Sequence, residues 1–154
     1  MFTLPMTALK IKGIHDDFIQ LQIEEIWGFP DEISYGGGYG AKGMLTIHAE
    51  NYSVTALHYF TTGELYQYYI QLQDCHQSLC GSAVLENTER ALELKCEFDK
   101  LGHVTVSGNF QARPDIKNIL FYEIQTDQTL ISDALSDLKK IYLAFGDMNG
   151  IQTK

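Results

Sequence analysis

Long apolar runs are missing from this 154-residue chain. Its hydrophobic segments, such as Ile119–Tyr122, last only a few residues, far below the roughly 18 to 20 that a membrane span needs. We therefore expect no membrane association. Met1–Pro5 carries neither a basic start nor an apolar stretch, so nothing reads as a secretory signal and the expected location is the cytoplasm. Cysteine is scarce and odd in number: Cys75, Cys80 and Cys96 lack C-x-x-C spacing, which suits reduced thiols acting as small hydrophobes. Bases are also few. Eleven Lys and Arg face twenty Asp and Glu, leaving a net charge of -9. A phosphate-binding surface needs concentrated cations, so nucleic acid is excluded and a basic or uncharged partner is expected. With three prolines and no Pro/Gly/Ser linker or low-complexity tract, residues 1–154 read as a single domain. What the chain does have is 45% hydrophobic residues. At this length that suffices for a core without disulfides or a structural metal, and it excludes intrinsic disorder.

Period-two alternation dominates. Leu9 and Ile11, then Ile19, Leu21 and Ile23 with Gln20, Gln22 and Glu24 opposite, describe a half-buried strand pair. Leu45, Ile47 and Ala49 lead through a turn at Glu50–Ser53 into Val54–Phe60, a hairpin. A second hairpin joins Leu92–Phe98 to Val104–Phe110 through Asp99-Lys100-Leu101-Gly102. One dry and one wet face per strand is the mark of antiparallel sheet.

Two segments switch to helical spacing. Leu65, Tyr68, Leu72, Cys75 and Leu79 follow the capping-box pattern Thr61-x-x-Glu64 and end at Gly81. Leu130, Ala134, Leu135, Leu138, Ile141, Tyr142 and Phe145 follow an N-cap at Asp127 and stop at Gly146. The order is four strands, helix, about four strands, helix, with no internal repeat evident beyond that order. The expected fold is α+β: a curved antiparallel sheet of about eight strands with two amphipathic helices packed on it.

Chemistry-bearing patterns are sparse. Gly38, Gly40 and Gly43 spell G-x-G-x-x-G, but a strand pattern follows where a dinucleotide site needs a helix N-terminus, and Lys42-Gly43 lacks the hydroxyl of a P-loop. The segment reads as a mobile glycine-rich connection. His15, His48, His58, His76 and His103 show no metal-ligand spacing, and Cys75-His76 are helical neighbours about 100° apart, so no metal, cofactor or catalytic group is expected.

Charge is more informative. Residues 1–77 hold nine acids against three lysines, and six of those acids fall between His15 and Tyr35 with no base among them. Glu24, Glu25, Asp31 and Glu32, interleaved with Trp27, Phe29, Tyr35 and then Tyr39, form an acidic rim with aromatic anchors, the make-up of a protein-binding surface. The alternative reading has the aromatics capping the core and the acids solvating a loop.

The stretch from Thr62 to Gly146 carries Thr62-Gly63-Glu64-Leu65, Leu79-Cys80-Gly81-Ser82-Ala83, Glu89 with Leu92-x-Leu94, Gly102-His103-Val104-x-Val106-x-Gly108, and Asp127-Gln128-Thr129. In these spaced motifs it resembles bacterial immunity proteins of the WapI type, found beside polymorphic contact-dependent toxins, and Leu9–Ile23 resembles the family's opening strands. The resemblance implies a non-enzymatic cytoplasmic antidote that binds and blocks a cognate toxin domain. On that view Glu24, Glu25, Asp31 and Glu32 occlude a basic toxin, anchored by Trp27, Tyr35 and Tyr39. Two other readings are a small-ligand domain with a pocket containing tyrosines and His58 or His103, and a homo-oligomer built on an exposed sheet edge or on Tyr66, Tyr68 and Tyr69.

Overall fold

The structure, a computed structural model, describes residues 2–87 and 90–151. Glu89, one residue of the quoted motifs, lies outside the described residues. Among the described residues, eight antiparallel strands divide into two four-stranded meanders. The first sheet is β1 (Met6–Lys12), β2 (Phe18–Trp27), β3 (Gly40–Ala49) and β4 (Tyr52–Thr61), in that order. Helix α1 (Thr62–Ser78) follows. The second sheet is β5 (Gly81–Glu86), β6 (Leu92–Phe98), β7 (His103–Phe110) and β8 (Leu120–Asp127), closed by α2 (Gln128–Phe145).

Local chemistry sets these boundaries. Thr61 caps α1 in a full capping box, its hydroxyl accepting from Glu64 N–H while Glu64 Oε1 accepts from Thr61 N–H at 2.9 Å. Asp127 caps α2 by accepting from the Thr129 and Leu130 N–H groups. The bond from the Thr129 hydroxyl holds the Asp127 carboxyl below its ordinary range. Helix α2 ends at Gly146 as its spacing predicts, but α1 stops earlier than Gly81: Leu79 already lies left-handed at φ 52° and Gly81 opens β5. The β3–β4 turn is likewise tighter than its composition suggests. Tyr52 and Ser53 are paired with β3, so only Glu50 and Asn51 make the turn.

The inner faces of both sheets and the inward stripes of both helices form one core. Four-stranded sheets expose edge N–H and C=O groups that need partners. Helix α2 lies along β1, where Lys10 N–H donates to Asp137 Oδ2 at 3.2 Å; α1 lies along β5, where Val84 N–H donates to Gln71 Oε1 at 3.0 Å. At the other edges, Gln125 O on β8 accepts from Ile14 N–H, and Tyr59 O on β4 accepts from Asn87 Nδ2. The strands-then-helix order is thus a real structural duplication: two ββββα units bonded alike at matching points.

Candidate functional site

The residues singled out from sequence lie on the end of β2 and on the connection 28–39. A register shift between Ile23 and Glu25 breaks the alternation, so Glu24 and Glu25 are both exposed. Glu25 sits 3.1 Å from Lys42 Nζ, and this hydrogen bond, with the opposite charge, raises the Lys42 ammonium above its usual range. Glu25 is therefore half of a local ion pair, its charge partly answered within the chain. Trp27 is 45% exposed and stacks on Tyr59 of β4, with ring centroids 6.2 Å apart and planes 16° from parallel. The indole lies over Gly40, where a Cβ would sit 3.3 Å from its six-membered ring.

Beyond β2 the chain turns at Gly28, whose carbonyl accepts the Glu32 N–H at 2.7 Å. Asp31, Glu32 and Tyr35 are exposed on this connection. Tyr39 is not, and this corrects its assignment as a surface anchor. It is fully buried, with its hydroxyl donating to Pro30 O and accepting from Ile151 N–H, both at 2.9 Å, and its ring edge-on to Phe29. Tyr39 fixes the base of the connection and cannot reach a partner.

The glycine segment is packed rather than loose, and the amides of Gly37, Gly38 and Tyr39 are spent inside the protein. Gly37 N–H donates to Ser34 O, Gly38 N–H to Met148 O at 2.7 Å, and Tyr39 N–H to Thr62 Oγ1 at 2.8 Å. Thr62 N–H in turn donates to Tyr39 O. Gly38, at φ +63°, presses so closely on Thr62 and Gly63 that a Cβ would collide with both. No N–H of this set is left to cradle a phosphate.

Other singled-out side chains serve the core. Tyr68 and Tyr69 are buried, and Tyr66 and Tyr69 pack on Tyr142 of α2, so the tyrosine cluster is a helix–helix contact within one chain. The Tyr68 hydroxyl lies 3.0 Å from Cys96 Sγ; burial pushes that thiol up to about 12. Cys75 is buried as well, whereas Cys80 is exposed and is not a core hydrophobe. His58 is buried between Phe60 and Phe110, and desolvation lowers its pKa to about 4. His103 is exposed beside Asp99, so the two histidines do not share a pocket. Among the described residues no three His, Cys, Asp or Glu side chains converge as metal ligands, and no helix is long and apolar enough to cross a membrane.

Two concavities adjoin this region. One of about 210 Å³ is lined by Trp27, Gly40, Tyr59, Thr61, Glu64 and Asn87. The other, about 570 Å³, is an apolar groove lined by Phe2, Met6, Phe29, Leu143, Ala144 and Ile151, with Lys140 as the one charged side chain lining it among the described residues. Sequence reasoning missed Tyr59, Glu64 and Asn87. Tyr59 was legible as the outward residue beside His58 in the alternation. Glu64 carried a capping signal that hid its second position, and Asn87 carried none.

No curated protein and no solved structure matches this chain. A family model described as "Immunity protein WapI-like family" matches residues 10–146, which include every strand after the start of β1 and both helices. The chain belongs to the WapI-like immunity protein family.

Proposed function

We propose that this protein neutralises a cognate toxin domain by binding it directly, as a non-enzymatic cytoplasmic antidote in a bacterium. The observation that carries the reading is the exposed Trp27–Tyr59 stack beside Glu24 and the Asp31–Glu32–Tyr35 connection, in a chain of the WapI-like immunity family. Exposed aromatics supply contact area at low entropic cost, and the surrounding acids attract a basic surface. A toxin that acts on nucleic acid needs such a surface for its own substrate, so an acidic antidote competes with phosphate for it.

The test is binding to the toxin domain encoded beside this gene, measured against salt concentration. The triple change Glu24→Gln, Asp31→Asn and Glu32→Gln is expected to slow association at low salt and flatten its salt dependence, by roughly tenfold in rate. Trp27→Ala is expected to weaken affinity roughly 30-fold, the effect of losing a contact worth about 2 kcal/mol. Unchanged affinity and salt response in both variants would place the interface elsewhere. A small-ligand role is the second reading, favoured by the 570 Å³ apolar groove, a size within the range of ligand sites. Native mass spectrometry of the purified chain tests it: a co-purifying apolar molecule supports the role, and a bare chain removes it.

A further inference from the structure

Two four-stranded sheets have four edges between them, and three of these are defended. Helix α2 lies along β1, α1 lies along β5, and β8 sets the acids Glu123 and Asp127 along its edge and bonds Ile14 N–H. The fourth edge, β4, carries no charged side chain and no proline from Tyr52 to Thr61, and its pairing with β3 runs without a bulge. Ala49 and Tyr52 close a two-residue turn, so Tyr52, Val54, Ala56 and His58 exchange hydrogen bonds with β3 while Ser53, Thr55, Leu57 and Tyr59 turn theirs outward. Tyr59 O accordingly accepts from Asn87 Nδ2 at 3.1 Å. Among the described residues nothing meets the outward N–H and C=O groups of Ser53, Thr55 and Leu57. Beside this bare edge runs an apolar trench. Two adjoining cavities, of about 430 and 290 Å³, share Phe110 and Ala112; Val54 and Ile119 line the first, and Ala56 and Leu57 the second. Lys117 is the one charged side chain lining the trench among the described residues.

We infer that the β4 edge receives an extended segment of the toxin partner, which adds to the first sheet as a fifth strand and sets alternate side chains into the trench. The inference rests on the toxin-binding reading and adds the mode of recognition: main-chain hydrogen bonds for affinity, and the trench for selection of side chains. Unpaired N–H and C=O groups in a row call for another backbone, not for a compact ligand. The free groups from Ser53 to Leu57 match a segment of about five residues, an ordinary strand length. Lys117 bars a basic side chain from the trench, so the segment's inward residues are apolar. The edge is continuous with the proposed surface, since Tyr59 of the same strand stacks on Trp27. Charge decides between the toxin and a second copy of this chain: two copies at -9 each repel, while a basic partner is attracted.

Amide hydrogen exchange, followed residue by residue with and without the toxin domain encoded beside this gene, tests the edge on the unaltered chain. In the free protein Ser53, Thr55 and Leu57 are expected to exchange fast and Val54, Ala56 and His58 slowly. Toxin binding is expected to slow the first three at least about tenfold. Thr55→Pro removes one outward donor and leaves the bonds to β3 whole, because an edge position facing away from the sheet tolerates proline. It is expected to weaken toxin affinity at least about tenfold while Val54, Ala56 and His58 stay protected. A tight complex in which Ser53, Thr55 and Leu57 exchange as in the free chain, or an unchanged affinity in Thr55→Pro, would overturn the added strand and leave the antidote reading standing. Absence of toxin binding would overturn both. Protection that grows instead with the chain's own concentration, together with a doubled solution mass, would assign the edge to a second copy and overturn the partner strand.

Discussion

The two ββββα halves are built on one plan, and the candidate site lies where they part. In each, the first residue of the helix donates its N–H to the residue just before the third strand: Thr62 to Tyr39 O, and Gln128 to Gly102 O. In each, the third strand opens opposite the helix cap, Gly40 against Thr61 and His103 against Asp127. The connections differ. Residues 99–102 close β6 onto β7 in a tight turn, where Asp99 Oδ1 accepts from the Leu101 and His103 N–H groups. Residues 28–39 join β2 to β3 in a long excursion that carries Asp31, Glu32 and Tyr35. Gly102 and Tyr39 occupy the same place, one a bare turn residue and the other a buried aromatic pin. What is common to the halves is framework, and what the first half adds is the long exposed connection on which the proposed partner surface lies.

The largest test of that contrast is to remove the pin. Tyr39→Ala is expected to cost about 4 kcal/mol in denaturant unfolding, because a fully buried ring and two hydrogen bonds are lost. Gly102→Ala, at φ +84° against the Gln128 side chain, is expected to cost about 1 kcal/mol. Similar losses would mean that the long connection is no more tightly pinned than the short turn.

His58 breaks the correspondence in the core, since Ile124 stands at the same register in β8. At pH 7 the imidazole is neutral in the folded state and mostly neutral in the unfolded one. As the pH falls from 6.5 toward about 4, the unfolded chain takes up a proton at His58 that the folded chain refuses. Stability is therefore lost on acidification, by about 3 kcal/mol across that window. His58→Ile, which copies the second half, is expected to remove this component from the pH dependence of unfolding. An unaltered slope would show that His58 takes up its proton in the folded state.

The caps test the likeness at the smallest scale. Thr61→Ala and Asp127→Ala are each expected to cost about 1 kcal/mol, and the double variant about 2 kcal/mol, since the sites share no partner. Markedly unequal costs in thermal unfolding would show that the two helix starts are not energetic equivalents.

Much of the framework could be read along the chain because its causes are local. Thr61, Glu64 and Asp127 announce their helices through side chains that reach backbone N–H groups within three residues. Alternation in Leu92–Phe98 and Val104–Phe110 announces a hairpin because Asp99 and Gly102 make the turn beside it. The duplication escaped notice because equivalent positions hold different residues, such as His58 and Ile124, which share only a place in the sheet. Tyr39 was misplaced for a similar reason: acids and glycines around it look like a surface loop, but Gly37 and Gly38 carry the backbone inward against Gly63 and Met148.

By itself, then, the sequence determined the element types, the helix starts, the acidic balance and the absence of local signatures for metal or phosphate. Each of these depends on composition or on neighbours a few residues apart. The tertiary structure alone decided that eight strands form two sheets, that Tyr39 is buried while Trp27 is not, and that Tyr59, Glu64 and Asn87 line one cavity with Trp27. Those outcomes depend on groups far apart along the chain competing for the same interior, and such competition is resolved only when the chain has closed on itself.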